Sequence, residues 1–318
     1  MQAPTFQDVL AARQRIAPYL KRTPTHSYAG LNELIGTQVW VKHENHQPVC
    51  AFKVRGGVNL MAQLSEDERK RGVISASTGN HGQSIALAAG LFGVSAYICV
   101  PEKANPVKVA AMQALGAELI FKGERFDDAR RNCEQLAREH GYRYIHSGNE
   151  PHLIAGVATE TLEMIEDAPE IDTVIVPVGG GSGAAGACIA AKAINPKIRV
   201  IGVQSENAPA AYLSWKTKSD VSQADNTIAE GLSTGSPMAL PQQIMRELLD
   251  DFVLIPDALI LKSMAWYIQH AHSLAEGAGA ASLGAAWQLR DQLKGRTVGI
   301  ICSGGNANPE QVRLALGG

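Results

Sequence analysis

Short runs of consecutive apolar residues alternate along this chain with longer stretches in which apolar residues recur every three or four positions. The runs are Val39–Lys42, Val73–Ala76, Ala96–Val100, Glu118–Phe121, Tyr142–Ile145, Thr173–Val178, Ile198–Val203, Phe252–Ile255 and Thr297–Cys302. Between them, helical spacing is read at Ser84–Leu91, Val107–Leu115, Asp127–Glu139, Ala184–Ile194, Ala258–His272 and Ala280–Leu293. Thr5 with Asp8 three residues on reads as a capping box ahead of Val9, Ile16 and Leu20. Strands that are apolar at consecutive positions bury both faces. Alternating with helices, they predict an α/β fold of mostly parallel sheets covered by helices. In such sheets ligands bind beyond the carboxyl ends of the strands, so the chemistry is sought in the strand-to-helix loops.

Length and composition narrow this picture. The 318 residues correspond to about two ordinary domains. With 29 Lys and Arg against 31 Asp and Glu, the chain has no global charge drawing it to nucleic acid or anionic membranes. Cys50, Cys99, Cys133, Cys188 and Cys302 are odd in number, scattered and never in a C-x-x-C pair, as expected of reduced cytoplasmic thiols. Residues 1–20 lack the apolar segment of a signal peptide. Residues 173–191 are uncharged over nearly a membrane span but contain Pro177 and five glycines. They read as a buried strand, a tight turn and a small-residue helix, and a soluble protein is expected.

Four loops carry candidate chemistry. The first, Gly179-Gly180-Gly181-Ser182-Gly183, follows a strand and opens a helix, which converges backbone N–H donors on a helix N-terminus, a phosphate cradle. Residues 181–186 also read G-x-G-x-x-G, so a dinucleotide is the rival. That reading expects an acid ending the next strand, where Gln204 stands instead. The second, Ser77-Thr78-Gly79-Asn80-His81-Gly82, offers neutral donors for a small carboxylate, although an N-cap cluster would look the same. The third, Ala51-Phe52-Lys53-Val54-Arg55-Gly56-Gly57, sets a lysine in an apolar context. Burial would lower its pKa and make the amine a nucleophile; a surface lysine opening a helix is the plain alternative. The fourth, Ser303-Gly304-Gly305-Asn306, places a hydroxyl at the end of the last strand. His43-Glu44-Asn45-His46 is one residue short of a zinc-binding H-E-x-x-H and reads as a loop of satisfied histidines. Glu66–Arg71 reads as a solvated helix end.

In order and spacing the four loops resemble fold type II pyridoxal-phosphate enzymes, the tryptophan-synthase-β type, in the branch of serine/threonine dehydratases and serine racemases. The resemblance covers nearly the whole chain. It implies a large cofactor-binding domain from residues 1–54 and 147–318 and a small domain from 55–146. Lys53 would hold pyridoxal 5'-phosphate covalently, with Phe52 against its ring. Gly179, Gly180, Gly181, Ser182 and Gly183 would bind its phosphate, Asn80 its 3-oxygen and Ser303 its ring nitrogen. Ser77, Thr78, Gly79 and His81 would receive the substrate carboxylate, with Gly231 and Glu276 lining the site. Lys53 would take the α-proton and the β-hydroxyl would leave, releasing a 2-oxo acid and ammonia. A neutral Ser303 at the ring nitrogen favours elimination over transamination. Thr78 stands where racemases carry serine, so racemisation is an alternative. Dehydration of bulkier substrates such as phenylserine or 3-hydroxyaspartate, or cofactor binding without catalysis, are the others. Gln204 and Ala210 occupy the places of a divalent-cation site in some relatives, and no metal is expected. The chain stops at Gly318 without a regulatory extension, which implies the short catabolic form. Relatives imply a homodimer or homotetramer.

Overall fold

The computed structural model describes residues 1–318, with strands β1 (Thr25–Ser27), β2 (Gln38–His43), β3 (Val73–Ala76), β4 (Ala96–Val100), β5 (Glu118–Phe121), β6 (Arg143–Tyr144), β7 (Thr173–Pro177), β8 (Arg199–Ser205), β9 (Asp251–Ile255) and β10 (Thr297–Cys302). They form two sheets. One has six strands in the order β1-β2-β10-β7-β8-β9, the other four in the order β5-β4-β3-β6. Every pairing is parallel except β1 with β2. The chain leaves the larger sheet after β2, builds the smaller one, and returns at β7. Because β10 lies between β2 and β7, both chain ends belong to the larger sheet.

The larger sheet is buried on both faces, as consecutive apolar residues require. In β7, Val174 and Val176 pack on one side with Ala184–Ala191 of the helix Ser182–Ile194, while Ile175 packs on the other with Ala280–Ala286 of the helix Gly277–Gln288. Residues 173–191 thus divide into strand, turn and helix, and no helix is long and apolar enough to cross a membrane. The Thr5–Asp8 capping box is present, with Asp8 N–H donating to Thr5 Oγ1 at 3.3 Å and Thr5 N–H to Asp8 Oδ2 at 2.7 Å.

The structure departs from the sequence reading where periodicity is short or concealed. Residues 289–293 turn rather than continue the helix Gly277–Gln288. The run Tyr142–Ile145 pairs only as Arg143–Tyr144. The three-residue β1 is too short to show alternation. The helices Lys53–Met61, Pro151–Val157 and Thr159–Asp167 were not separately legible, because they are short and buried on nearly every side, so that even polar residues such as Arg55, Asn59, Glu160 and Glu163 face the interior. Gly56 and Gly57 let the first of these sit tightly: an added Cβ would come within 2.9 Å of Leu153 O at Gly56 and 2.5 Å of Ser84 Oγ at Gly57.

The motif at His43–His46 holds an element that sequence alone did not reveal. Residues 44–46 form a 3₁₀ turn, and Glu44 is fully buried in a charged network. Arg55 forks onto Glu44 through Nε and Nη2 at 2.7 and 2.8 Å, and onto Glu163 through Nη1 and Nη2 at 2.7 Å each. Lys42 Nζ also donates to Glu163 at 2.7 Å. Two cations and two carboxylates therefore balance, tying β2, the helix Lys53–Met61 and the helix Thr159–Asp167 together. Burial acts to raise the Glu44 carboxyl, but the Arg55 guanidinium and its neighbours outweigh it and hold it below the ordinary value. Its share of stability is present above the ordinary carboxylate range and is lost as pH falls through the lowered value. Arg55→Met should lower unfolding stability by about 3–5 kcal/mol, because it strands two buried carboxylates. Urea denaturation checks this, and a loss under about 1 kcal/mol would contradict it.

Candidate active site

Lys53 opens its helix, but it is not the surface lysine that such a position suggests. It is partly buried, its Nζ donates to Ser182 Oγ at 2.7 Å, and the Nζ lies 5.0 Å from the centre of the Phe52 ring. Desolvation lowers its pKa from 10.5 to about 8, so a substantial fraction of the amine is uncharged near neutral pH. Two backbone bonds fix the segment against the end of β10: Phe52 N–H donates to Ser303 O at 3.0 Å and Gly305 N–H to Cys50 O at 2.8 Å. The third and fourth loops of the sequence reading are therefore one structural unit.

Opposite Lys53 lies the glycine turn after β7. Gly181 has φ +90°, a left-handed conformation that other residues adopt with strain, and Ser182 starts a 13-residue helix. An added Cβ at Gly179 would come within 2.1 Å of Gly231 O, and one at Gly180 within 2.5 Å of Met238 Sδ. The turn consequently presents backbone N–H groups at a helix N-terminus and leaves no room for side chains.

The smaller sheet supplies the facing wall. The helix Asn80–Phe92 follows β3, and its first turn is organised by Ser77, whose Oγ accepts from Gly79 N–H at 3.2 Å and Gly82 N–H at 2.9 Å. His81 is buried against Ser75 Oγ at 2.9 Å. That hydroxyl donates to Ile145 O at 2.7 Å, which assigns the proton to His81 Nε2. Burial, with the charge of Lys53 adding to it, brings the imidazole down to about 3, so His81 is a neutral donor and no cation. Asn80 Nδ2 donates to Glu276 Oε1 at 2.6 Å and its Oδ1 accepts from Asn306 Nδ2 at 2.8 Å. Burial raises the Glu276 carboxyl above its ordinary value.

These groups line one cavity of about 410 Å³ between the two sheets. Phe52, Lys53 and Ser303 lie along it, as do Ser77, Thr78, Gly79, Asn80 and His81. Gly179 to Gly183, Gly231 and Glu276 complete the set, so every residue singled out from the sequence is brought together. Sequence reasoning missed Lys108, Ser147, Asp225, Glu230 and Met238, which also line the cavity. None of them stands in the four loops that carry candidate chemistry. Lys108 and Glu230 form an ion pair that joins the helix Pro106–Ala114 of the smaller sheet to the 3₁₀ turn Glu230–Leu232 beside the larger one. No group of three or more His, Cys, Asp or Glu side chains converges as metal ligands would.

An α/β enzyme with a glycine phosphate cradle facing a buried amine is the class that fold and site define. The family described as pyridoxal-phosphate dependent enzyme matches residues 16–304. The chain belongs to this family, and its cofactor is pyridoxal phosphate. It is 36% identical over 309 residues to an L-threonine ammonia-lyase of Thermotoga maritima, covering 97% of this chain and 77% of that one. It is 35% identical to the L-threo-3-hydroxyaspartate ammonia-lyase of Saccharomyces cerevisiae, covering 100% of this chain and 98% of that one. The structure of maize serine racemase superposes with a TM-score of 0.94 at 32% identity, covering 99% of this chain and 97% of that one. The residues present suit the cofactor: a buried amine of lowered pKa for an aldehyde, and a nest of amides for a phosphate.

Two outcomes follow. Gly179→Ala should weaken uptake of pyridoxal phosphate by about tenfold or more, since its Cβ meets backbone rather than a yielding side chain. Fluorescence titration measures this, and unchanged affinity would contradict the cradle. In the cofactor-free protein, the reactivity of Lys53 toward an amine-directed reagent should rise with a midpoint near pH 8, followed by peptide mass spectrometry. A midpoint near 10.5 would show a solvated ammonium.

Proposed function

We propose that the protein is a lyase that dehydrates and deaminates L-threonine and L-serine to a 2-oxo acid and ammonia. The observation that carries this reading is that the Lys53 amine and the neutral Ser303 hydroxyl line one cavity. Lys53 would hold the cofactor with Phe52 against its ring, Gly179–Gly183 with Ser182 would hold the phosphate, Asn80 the 3-oxygen, and Ser303 the ring nitrogen. Bound pyridoxal phosphate supplies an electron sink that weakens the Cα–H bond of the substrate and lets its β-hydroxyl depart. Lys53 Nζ, whose pKa burial lowers to about 8, takes the Cα proton in its uncharged form, and Ser182 Oγ orients it. Ser77, Thr78 and Gly79, at the start of the helix Asn80–Phe92, receive the substrate carboxylate on neutral donors and a helix N-terminus, with the His81 ring and Gly231 bounding that pocket. Ser303 cannot hold a proton on the ring nitrogen as a carboxylate would, which favours prompt expulsion of the β-hydroxyl.

Charge in the cavity supports a substrate with an uncharged side chain. Its other ammonium, Lys108, is already paired with Glu230, and Asp225 and Glu276 lie on the same lining. A second substrate carboxylate, as in 3-hydroxyaspartate, would meet no free cation there. The Thr78 hydroxyl in the cavity, together with the likeness to maize serine racemase, supports some racemisation of serine as a second reading. The lobe division proposed, 1–54 with 147–318 and 55–146, is supported by the confinement of β3 to β6 to the smaller sheet. The cytoplasm is the proposed compartment and a homo-oligomer the proposed assembly.

A screen of L-threonine, L-serine and 3-hydroxyaspartate for 2-oxo acid release tests the reading. Threonine or serine should be turned over fastest, and Lys53→Ala should lower the rate by roughly 10²–10⁴-fold. Preference for 3-hydroxyaspartate, or no keto acid from any of them, would overturn it.

A further inference from the structure

Glu160 is a buried acid that nothing in the proposed mechanism uses. It lies in the helix Thr159–Asp167, is 1% exposed, and its Oε2 has no hydrogen-bond partner. Its position is specific. A Cβ built on Gly183, the last glycine of the cradle, would lie 3.7 Å from Glu160 Oε1 and 3.2 Å from Phe52 Cε2. The carboxyl therefore sits directly behind the cradle, at the point where it meets the residue preceding Lys53.

The surrounding charges leave Glu160 without a counterion. Lys42 on β2 and Arg55 on the helix Lys53–Met61 are consumed by Glu163, on the same helix as Glu160, and by Glu44. The helix Ser182–Ile194, packed against it, carries no charge before Lys192. Only Lys53 remains, and its Nζ is turned to Ser182. Desolvation and the charge of Glu44 push the Glu160 carboxyl well above its ordinary value, against Arg55, Lys42 and Lys53.

We propose that Glu160 is a positioning residue for the cofactor phosphate: its partnerless carboxyl lies behind Gly183, where the protonated acid leaves the cradle free for an anion and the carboxylate repels that anion. The proposal rests on the reading that Gly179–Gly183 hold the phosphate. The linkage is reciprocal, so a bound phosphate dianion holds the proton on Glu160, and alkaline pH releases both. The burial of Glu160 beside Gly183 makes the repulsion effective, because little water can screen it.

The test is titration of the cofactor-free protein with pyridoxal phosphate from pH 6.5 to 9.5, for the wild type and for Glu160→Gln. Lys53 and the phosphate itself titrate in both proteins, so the ratio of their affinities isolates Glu160. The wild type should weaken relative to Glu160→Gln by about tenfold across this range. With pyridoxal, which keeps the aldehyde but lacks the phosphate, the change in ratio should be clearly smaller. Glu160→Leu removes the orphaned oxygens, should melt no lower than the wild type, and should show the same pH dependence as Glu160→Gln. A ratio constant with pH overturns the proposal, as does an equal change with pyridoxal. A protein that takes up no pyridoxal phosphate at any pH overturns the cradle assignment as well.

Discussion

A lysine ammonium buried between two sheets, with one hydroxyl as its hydrogen-bond partner, loses hydration that the one nearby carboxylate, Glu160, offsets only in part. Lys53 is in this state, and its pKa of about 8 is the consequence. The rest of the site depends on the constraint. An amine that titrates near physiological pH can form and release a covalent bond to an aldehyde and can accept a proton from carbon, neither of which an ordinary ammonium does. The glycine turn, the hydroxyl of Ser303 and the neutral His81 add no negative charge that would hold the proton on Lys53.

Keeping the amine in place requires a rigid base. The helix that Lys53 opens is pressed between the helices Asn80–Phe92 and Pro151–Val157 through Gly57 and Gly56, and is anchored two residues on by Arg55. That arginine is fully paired with Glu44 and Glu163, so the ionic network beneath the site is balanced and does not extend to Lys53. A surplus carboxyl, Glu160, is left without a partner of its own, and burial pushes it well above its ordinary value. One sequence segment thus carries both the reactive amine and its support, and the two roles are separated by the direction of their side chains.

Much of this was legible beforehand because each loop combines glycine with a short polar residue at the end of an apolar run, a pattern that few structural needs produce together. The strands from β7 to β10 were legible because burial on both faces leaves unbroken apolar runs. What stayed concealed has two physical causes. Helices such as Lys53–Met61 and Thr159–Asp167 are wrapped by neighbours, and their polar residues, among them Arg55, Asn59, Glu160 and Glu163, are buried, so polarity does not mark an outer face. Pairings between distant segments, such as Arg55 with Glu163 or Lys108 with Glu230, leave no local trace, since either partner alone reads as a surface charge. The H-E-N-H motif illustrates the point: its glutamate serves the core and not a metal.

The central claim is that Lys53, and no other lysine, bears the cofactor. Lys108 is the informative competitor, because its ammonium lines the same cavity. Borohydride reduction of the cofactor-loaded protein, followed by peptide mass spectrometry, distinguishes them. A single phosphopyridoxyl group on the peptide containing Lys53 is the predicted result; a tag on Lys108, or on no lysine, would contradict the account.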